Sequence, residues 1–204
     1  MDWESSGIHK VVSDFCGEVT ASESGKEALV ALVQAIVKAF VKGKEEFTLE
    51  AIQKTIEDII PGELKSYAKG EFLKACCKVN DIEEKKETGG DGGSGASVTT
   101  EEMQTASDVH ISIPAVSKLL DESLNSPVPP KVAMGMAALC QYMMAEVVEL
   151  SNNQRKQIVS AKDPDPEKAA EARENLTEDH IKRGIRSDPL LEEFFQGKWP
   201  PLSA

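Results

Sequence analysis

The chain has 204 residues and a formal net charge of −12; hydrophobic residues make up 40% of it and aromatic residues 5%. That length allows one large or two small domains, and the apolar fraction is enough for a buried core. The negative charge argues against tight, non-specific nucleic-acid binding by charge alone. Helical apolar spacing dominates and alternating β-branched runs are scarce, so we expect an all-α protein.

The chain contains four cysteines: Cys16, Cys76, Cys77 and Cys140. Their spacing and their place in helical patterns predict buried, reduced thiols in an intracellular protein, with no disulfide framework and no metal site. No signal peptide or membrane span is predicted. The most apolar stretch, 131–150, carries Lys131, Gln141, Glu146 and Glu149, which argue against a span.

The first half of the chain predicts a short acidic tail at 1–7 and then four helices in which apolar residues recur at helical spacing. The predicted helices are Ile8–Phe15, Ser24–Lys42, Leu49–Ile60 and Glu63–Val79. N-cap candidates precede the second helix within 20–24, and Thr48 caps the third. Pro61 and Gly62 end the third helix and open the fourth.

Residues 81–105 are rich in Gly, Ser and Glu and have no apolar period, which predicts a flexible linker. The domains are then 1–80 and 106–204. The segment GGDGGSG within the linker is not a phosphate loop, because no Gly-Lys-Ser/Thr follows it.

The second half predicts a short helix, a long helix and two further short ones. They are Pro114–Leu124, Lys131–Leu150, a helix capped by Thr177 and closed at Ser187-Asp188, and Leu190–Phe195. The long helix carries apolar residues on most faces, so we expect it to be buried against several partners. Pro129 and Pro130 fit its first turn, where no amide partner is needed. The insertion at 152–174 contains one predicted helical turn, KAAEARE, to which the sequence assigns no role.

Short, long and short helices joined by extended loops form the pattern of a histone fold. The segment 59–78, IIPGELKSYAKGEFLKACCK, closely resembles the part of histone 2B in which the third helix turns into a C-terminal helix. Most histone-fold proteins lack that extra helix, so the motif is fairly specific. The region before Gly43 is shorter than in the family, so the first two helices look trimmed.

The second half resembles histone 2A, because QYMMAEVVELSNN and LTEDHIKRGIRSDPLLEEFF match its second and third helices in order. A 2B-like unit followed by a 2A-like unit in one chain resembles the histone doublets of large DNA viruses. The resemblance implies an all-α chain of two histone folds whose central helices cross in an intramolecular handshake. Two sets of apolar residues would then face each other: Leu32, Ile36 and Phe40 on one central helix, and Met136, Leu139 and Met143 on the other.

Histone pairs bind double-stranded DNA at paired loops and helix N-termini, where basic side chains contact phosphates. Five lysines fall at the corresponding positions: Lys10, Lys42, Lys44, Lys118 and Lys131. The alternative is that they are ordinary solvated charges. Family arginines are missing, because Pro127 and Asn175 stand about where loop arginines would be, and Asp121 and Glu122 occupy a normally basic helix. If the lysines bind DNA, we expect weak, salt-sensitive wrapping.

Carboxylates of both histones form an acidic patch in the family, and this patch receives arginines of other chromatin proteins. The matching residues are Glu63, Glu71, Glu146, Glu149 and Asp188. Gln141, Pro189 and Leu190 replace other family acids, so the patch is only partly kept. The alternative is a plain solvated acidic face, for which a net charge of −12 is sufficient.

Beyond Phe195 the family has a longer C-terminal extension that docks on the central histone tetramer, and it also has lysine-rich tails. Neither is visible in this sequence, which predicts a looser particle. Trp199 either substitutes for part of the extension or belongs to a frayed end.

The resemblance implies a structural chromatin protein, without cofactor, metal or catalytic site, that joins a histone 4/3-type doublet or tetramer and compacts DNA. It would act in the nucleus or viral factory of a host cell and in the virion, and its acidity predicts a less stable variant. A histone-chaperone-like decoy, which binds histones without wrapping DNA, stays open as an alternative. A histone-fold transcription factor is disfavoured by the 2B-type C-terminal helix. The scattered His9, His110 and His180 indicate no catalytic arrangement.

Overall fold

The computed structural model describes residues 6–44, 46–88, 98–161 and 165–199, apart from the side chains of residues 87 and 88. Within these ranges the chain is mostly helical, which confirms the all-α prediction at that level. The helices are α1 (Ile8–Cys16), α2 (Glu23–Val41), α3 (Leu49–Ile59), α4 (Gly62–Thr88), α5 (Thr100–Ser107), α6 (Ile113–Leu124), α7 (Pro130–Val159), α8 (Pro166–Glu174), α9 (Glu178–Ser187) and α10 (Pro189–Phe195). Two short strands accompany them, β1 (Thr20–Ala21) and β2 (Asn175–Leu176).

Side-chain caps set the starts of helices in the first half. Ser22 Oγ accepts a hydrogen bond from Gly25 N at 3.1 Å and caps α2. Thr48 Oγ1 accepts one from Ala51 N at 3.1 Å and caps α3. The predicted bounds of α1, α2 and α3 are confirmed to within one residue at each end.

The fourth helix is longer than predicted. α4 has 27 residues and ends at Thr88, not at Val79. The last turns of α4 are mostly polar, so the sequence contains no apolar period that would predict a helix there. Ile82 is an apolar residue of these turns, and it packs against the core. Lys85 and Lys86 lie in the last turn, where cations interact favourably with the helix dipole.

The linker predicted at 81–105 is correspondingly shorter. α4 occupies its first part and α5 its last part, while residues 89–97, which include GGDGGSG, lie outside the described residues. α5 begins with a capping box in which Thr99 N donates to Glu102 Oε2 at 2.7 Å and Glu102 N donates to Thr99 Oγ1 at 3.3 Å. Met103 is the one large apolar residue that this two-turn helix buries, too little for a recognisable period.

The long helix of the second half is also longer than predicted. α7 has 30 residues and continues past Leu150 to Val159. Its buried side beyond Leu150 is polar, so the apolar stripe stops before the helix does. The residues concerned are Ser151, Asn152 and Arg155. The helical turn predicted within the insertion is confirmed as α8, which buries Ala169 and Ala172.

A parallel strand pair joins the loop before α2 to the loop before α9. Thr20 pairs with Asn175, 155 positions away, and Ala21 pairs with Leu176. Gly25 approaches the Leu176 carbonyl oxygen so closely that an added Cβ would overlap it. The first turn of α2 therefore packs on the backbone of the second half at a distance that only glycine permits.

One apolar core includes residues from both halves. α7 lies at its centre, and it contacts α1 to α4 from the first half and α5, α6, α8 and α9 from the second. α2 contacts α6, α7 and α9. The expectation that the long helix is buried against several partners is confirmed. The six residues predicted to face one another all belong to this core: Leu32, Ile36, Phe40, Met136, Leu139 and Met143.

All four cysteines are free. Cys16, Cys76 and Cys140 are buried as predicted, but Cys77 is exposed, because it lies on the solvent side of α4 next to the inward-facing Cys76. Burial raises the pKa of the Cys76 thiol to about 11, which keeps it protonated at neutral pH. Within the described ranges, no helix combines the length and apolar content needed to cross a membrane.

Candidate functional site

The starts of α1 and α6 lie side by side. Ser6 O accepts a hydrogen bond at 2.7 Å from the backbone N of Ser112, the N-cap of α6. Gly7, the N-cap of α1, has φ of 75° and approaches His110 O so closely that an added Cβ would overlap that oxygen. Ser6 and Gly7 are buried, so the tail predicted at 1–7 is wrong for its last two residues.

A groove of about 590 Å³ opens beside these two helix starts. Lys10 and His9 line it from α1, and Thr100 lines it from the first turn of α5. Helix N-termini carry partial positive charge, and the Lys10 side chain is exposed, so both favour an anion such as phosphate in this groove, whereas Glu101 of α5, which also lines it, opposes one. Lys118 is also exposed, on α6, but is not among the residues that line the groove.

Two further candidate lysines lie at the far end of α2. Lys42 is the C-cap of α2 and is exposed, while Lys44 is half-buried and its backbone N donates to Val41 O at 3.1 Å. Among the described residues, no carboxylate oxygen lies within 4.0 Å of the ammonium groups of four candidates: Lys10, Lys42, Lys44 and Lys118. These four charges are therefore available to phosphate.

Lys131 has a different environment. It lies in the first turn of α7, and its Nζ is 2.6 Å from Glu83 Oε2 on α4. Both side chains are partly exposed, 28% for Lys131 and 35% for Glu83. The structure thus assigns this lysine a carboxylate partner that the sequence did not indicate, because Glu83 falls in the region predicted to be linker.

Three of the five predicted acidic residues come together where α7 passes the start of α10. Glu146 is half-buried on α7, and burial raises its pKa. The negative charges of Glu149 and Asp188 raise the pKa further, whereas a hydrogen bond from Tyr142 lowers it without reversing the shift. Asp188 also caps α10, since its Oδ1 accepts hydrogen bonds from the first amides of that helix, Leu190 N at 2.8 Å and Leu191 N at 3.0 Å. The clustered charge favours a cationic partner.

Glu71, on α4, adds a further carboxylate close to Glu146. It lines a groove of about 410 Å³ together with Glu146 and two tyrosines, Tyr67 and Tyr142. Lys74 Nζ lies 3.4 Å from Glu71 Oε2, but both side chains are largely exposed, so this pair neutralises little of the charge. Tyr67 is 64% exposed and offers an aromatic face beside the carboxylates.

Glu63 is exposed in the first turn of α4. Its neighbour Gly62 packs on α10, because a Cβ added there would lie 2.8 Å from Leu190 Cδ2. The first turn of α4 therefore lies beside the start of α10, near Asp188. We define the acidic surface as Glu63, Glu71, Glu146, Glu149 and Asp188.

Gln141 has a structural role that the sequence did not indicate. Its Oε1 accepts hydrogen bonds from His110 N and from Ile111 N, the latter at 3.4 Å. Its Nε2 donates to Asp108 O at 3.2 Å. The side chain therefore ties the turn between α5 and α6 to the middle of α7.

A buried polar link accounts for the insertion after Leu150. Asn152 Nδ2 donates to Phe15 O at 2.7 Å, and Asn152 Oδ1 accepts from Arg155 Nε at 2.9 Å. Arg155 Nη1 donates to Ala172 O at 2.6 Å. These bonds connect the end of α1, the extension of α7 and the end of α8, so α8 is attached to the fold just before β2.

His180 completes the capping box of α9, whose N-cap is Thr177, and is 4% exposed. Its Nδ1 accepts a hydrogen bond from Thr177 N at 3.0 Å, and its own N donates to Thr177 Oγ1 at 3.4 Å. Burial lowers the pKa of His180 and outweighs the opposing negative charge of Asp179. The ring is therefore a structural acceptor in its neutral form.

Trp199 is 7% exposed and belongs to the core, so it does not lie in a frayed end. Its backbone N donates to Phe195 O at 3.3 Å. The indole Nε1 is buried and has no hydrogen-bond partner among the residues that the structure describes. Trp199 thus packs against its own chain immediately after α10.

Among the described side chains, no group of three or more His, Cys, Asp and Glu residues could hold a metal ion. No protein-family profile matches the sequence, and no curated protein matches it significantly.

Proposed function

We propose that the chain is a structural chromatin protein, a fused 2B–2A-type histone doublet that joins a histone 4/3-type partner and holds double-stranded DNA. The observation that carries the proposal is the parallel pairing of β1 with β2, which links a loop of the first half to a loop of the second across a common core. In the proposed handshake, each half buries the long helix of the other, and α2 and α7 are the two central helices.

Fusion has a direct thermodynamic consequence in this proposal. Two tethered units associate at an effective concentration of roughly millimolar, so one chain behaves as a pre-formed heterodimer. The shared core also implies that neither half has a complete apolar interior of its own.

The paired starts of α1 and α6 support contact with DNA. Two helix N-termini lie beside a groove that Lys10 lines, and a phosphate there would meet partial and full positive charges together. If the four unpaired candidate lysines all bind phosphate, the log–log dependence of affinity on salt has a slope of about −4.

Reconstitution with a histone 4/3-type partner on DNA tests the proposal. A candidate-lysine variant replaces the four unpaired candidates by glutamine: Lys10, Lys42, Lys44 and Lys118. A control variant makes the same change of charge at four exposed lysines elsewhere: Lys54, Lys85, Lys156 and Lys168. We expect the wild type and the control to form a particle that releases DNA at similar salt, and the candidate-lysine variant to release it at lower salt. Equal release by both variants would contradict these DNA contacts.

The acidic surface favours a second candidate, a histone-binding decoy that does not wrap DNA. Its five carboxylates and the net charge of −12 suit basic histone segments. A gel shift with and without partner histones separates the two functions. A complex with histones that never contains DNA would support the decoy and reject the doublet as a packaging protein.

A further inference from the structure

The end of α4 lies against the start of α7. Glu83 is on the part of α4 that runs beyond the predicted end of the helix, and it forms its ion pair with Lys131 in the first turn of α7. Cys76, seven positions earlier and hence on the same side of α4, is also within electrostatic range of Lys131. The Lys131 side chain is therefore directed towards α4.

A second ion pair attaches the end of α4, which carries Glu83, to α5. Lys86, three residues later, has its Nζ 2.7 Å from Glu102 Oε2 of α5. This hydrogen bond and those from Thr99 lower the pKa of Glu102 to about 2, so the carboxylate stays charged at any physiological pH. The end of α4 is thus attached to α5 on one side and to α7 on the other.

We propose that Glu83 is an internal competitor for Lys131, holding the ammonium group that would otherwise contact a DNA phosphate. The inference rests on the proposed function, because it assumes that Lys131 belongs to the DNA-binding surface. A carboxylate and a phosphate compete for the same ammonium group, because the Glu83 charge offsets that of Lys131 and repels a nearby phosphate. The competitor lies on the last turns of α4, where that helix packs against α7.

The test measures binding of a short DNA duplex to the full chain by fluorescence anisotropy over a range of NaCl concentrations. Glu83→Gln removes the competing charge with little change in shape. Asp81→Asn is the matched control, since Asp81 is exposed on the same helix and the same charge is removed. Both changes are also made in a Lys131→Met background, and circular dichroism verifies that every variant is folded.

We expect Glu83→Gln to bind DNA roughly 1.5- to five-fold more tightly than the wild type at low salt, the range for a partly exposed ion pair. Its salt slope should steepen by about 0.9, because one more phosphate is neutralised. Asp81→Asn should give a smaller gain without that change of slope, and in the Lys131→Met background the gain from Glu83→Gln should fall to that of Asp81→Asn.

Equal gains for Glu83→Gln and Asp81→Asn, or a gain from Glu83→Gln that Lys131→Met does not reduce, would overturn the competitor while leaving DNA binding intact. If the wild type and all variants failed to bind DNA, with or without the histone partner, the proposed function would fail first and this inference with it.

Discussion

Replacing Gly25 by alanine should weaken the contact between the two halves of the chain. The new methyl group would overlap the Leu176 carbonyl oxygen, and a backbone atom cannot move aside by a side-chain rotation. Overpacking of this kind costs about 1–3 kcal/mol. Displacement of the strand pair also strains the hydrogen bond from Ser22 N to Leu176 O, now 3.1 Å, which contributes about 1 kcal/mol. Alanine also favours the helical backbone by about 0.5–1 kcal/mol over glycine, so we expect a net loss of about 1–3 kcal/mol.

This loss is measured by urea unfolding followed by Trp199 fluorescence in a Trp3→Phe background. Trp199 reports the unfolding of the second half, whereas the substitution lies in the first half. With a slope of about 2–3 kcal/mol per molar urea, the midpoint should fall by roughly 1 M. Gly70→Ala is the control, because Gly70 is on α4 with nothing within 4 Å of an added Cβ, and there we expect a gain of about 0.5–1 kcal/mol. A Trp199 transition that does not move with Gly25→Ala would refute the coupling of the halves.

Three further predictions follow from buried polar groups. Gln141→Leu removes the acceptor of the His110 amide and should therefore destabilise the fold by about 1–3 kcal/mol. Hydrogen exchange at that amide should become faster, and an unchanged exchange rate would contradict the role assigned to Gln141. The pKa of His180 is lowered in the folded chain, so as the pH falls the unfolded chain binds a proton before the folded chain does. The contribution of His180 to the free energy of unfolding should therefore be fully present above about pH 6.5 and decrease below it. His180→Gln should flatten that part of the pH profile of unfolding free energy, and an unaltered profile would locate the titration elsewhere. Trp199→Phe removes a buried N–H that has no partner among the described residues and should cost less than about 1.5 kcal/mol. Trp199→Ala should cost about 3–5 kcal/mol, and similar losses for both in thermal unfolding would contradict the packing of the ring.

The sequence indicated candidate residues for both surfaces, but not their environments. Resemblance to 2A pointed to Glu146, Glu149 and Asp188, and the structure brings these three within electrostatic range. Nothing local to Lys131 revealed its pairing with Glu83, because the two residues are 48 positions apart. The same holds for Gln141, whose partners are 30 to 33 positions away.

Local signals in the sequence determined most of the helices. Apolar spacing and caps such as Thr48 and Thr177 act within a few residues, so α1, α2, α3 and α9 begin and end close to where the sequence predicts. The broad apolar surface of α7 likewise predicted that several helices bury it.

Only the tertiary structure decided how far α4 and α7 continue, and that α5 exists. The residues concerned are polar, and they are ordered by partners distant in sequence: Arg155 by the Ala172 carbonyl, Lys86 by Glu102 and Glu83 by Lys131. A polar helix has no apolar period, and the free energy that favours its folded form comes from hydrogen bonds and charges that exist only once the chain is packed. For that reason the availability of each candidate lysine to DNA is a property of the fold and not of the sequence alone.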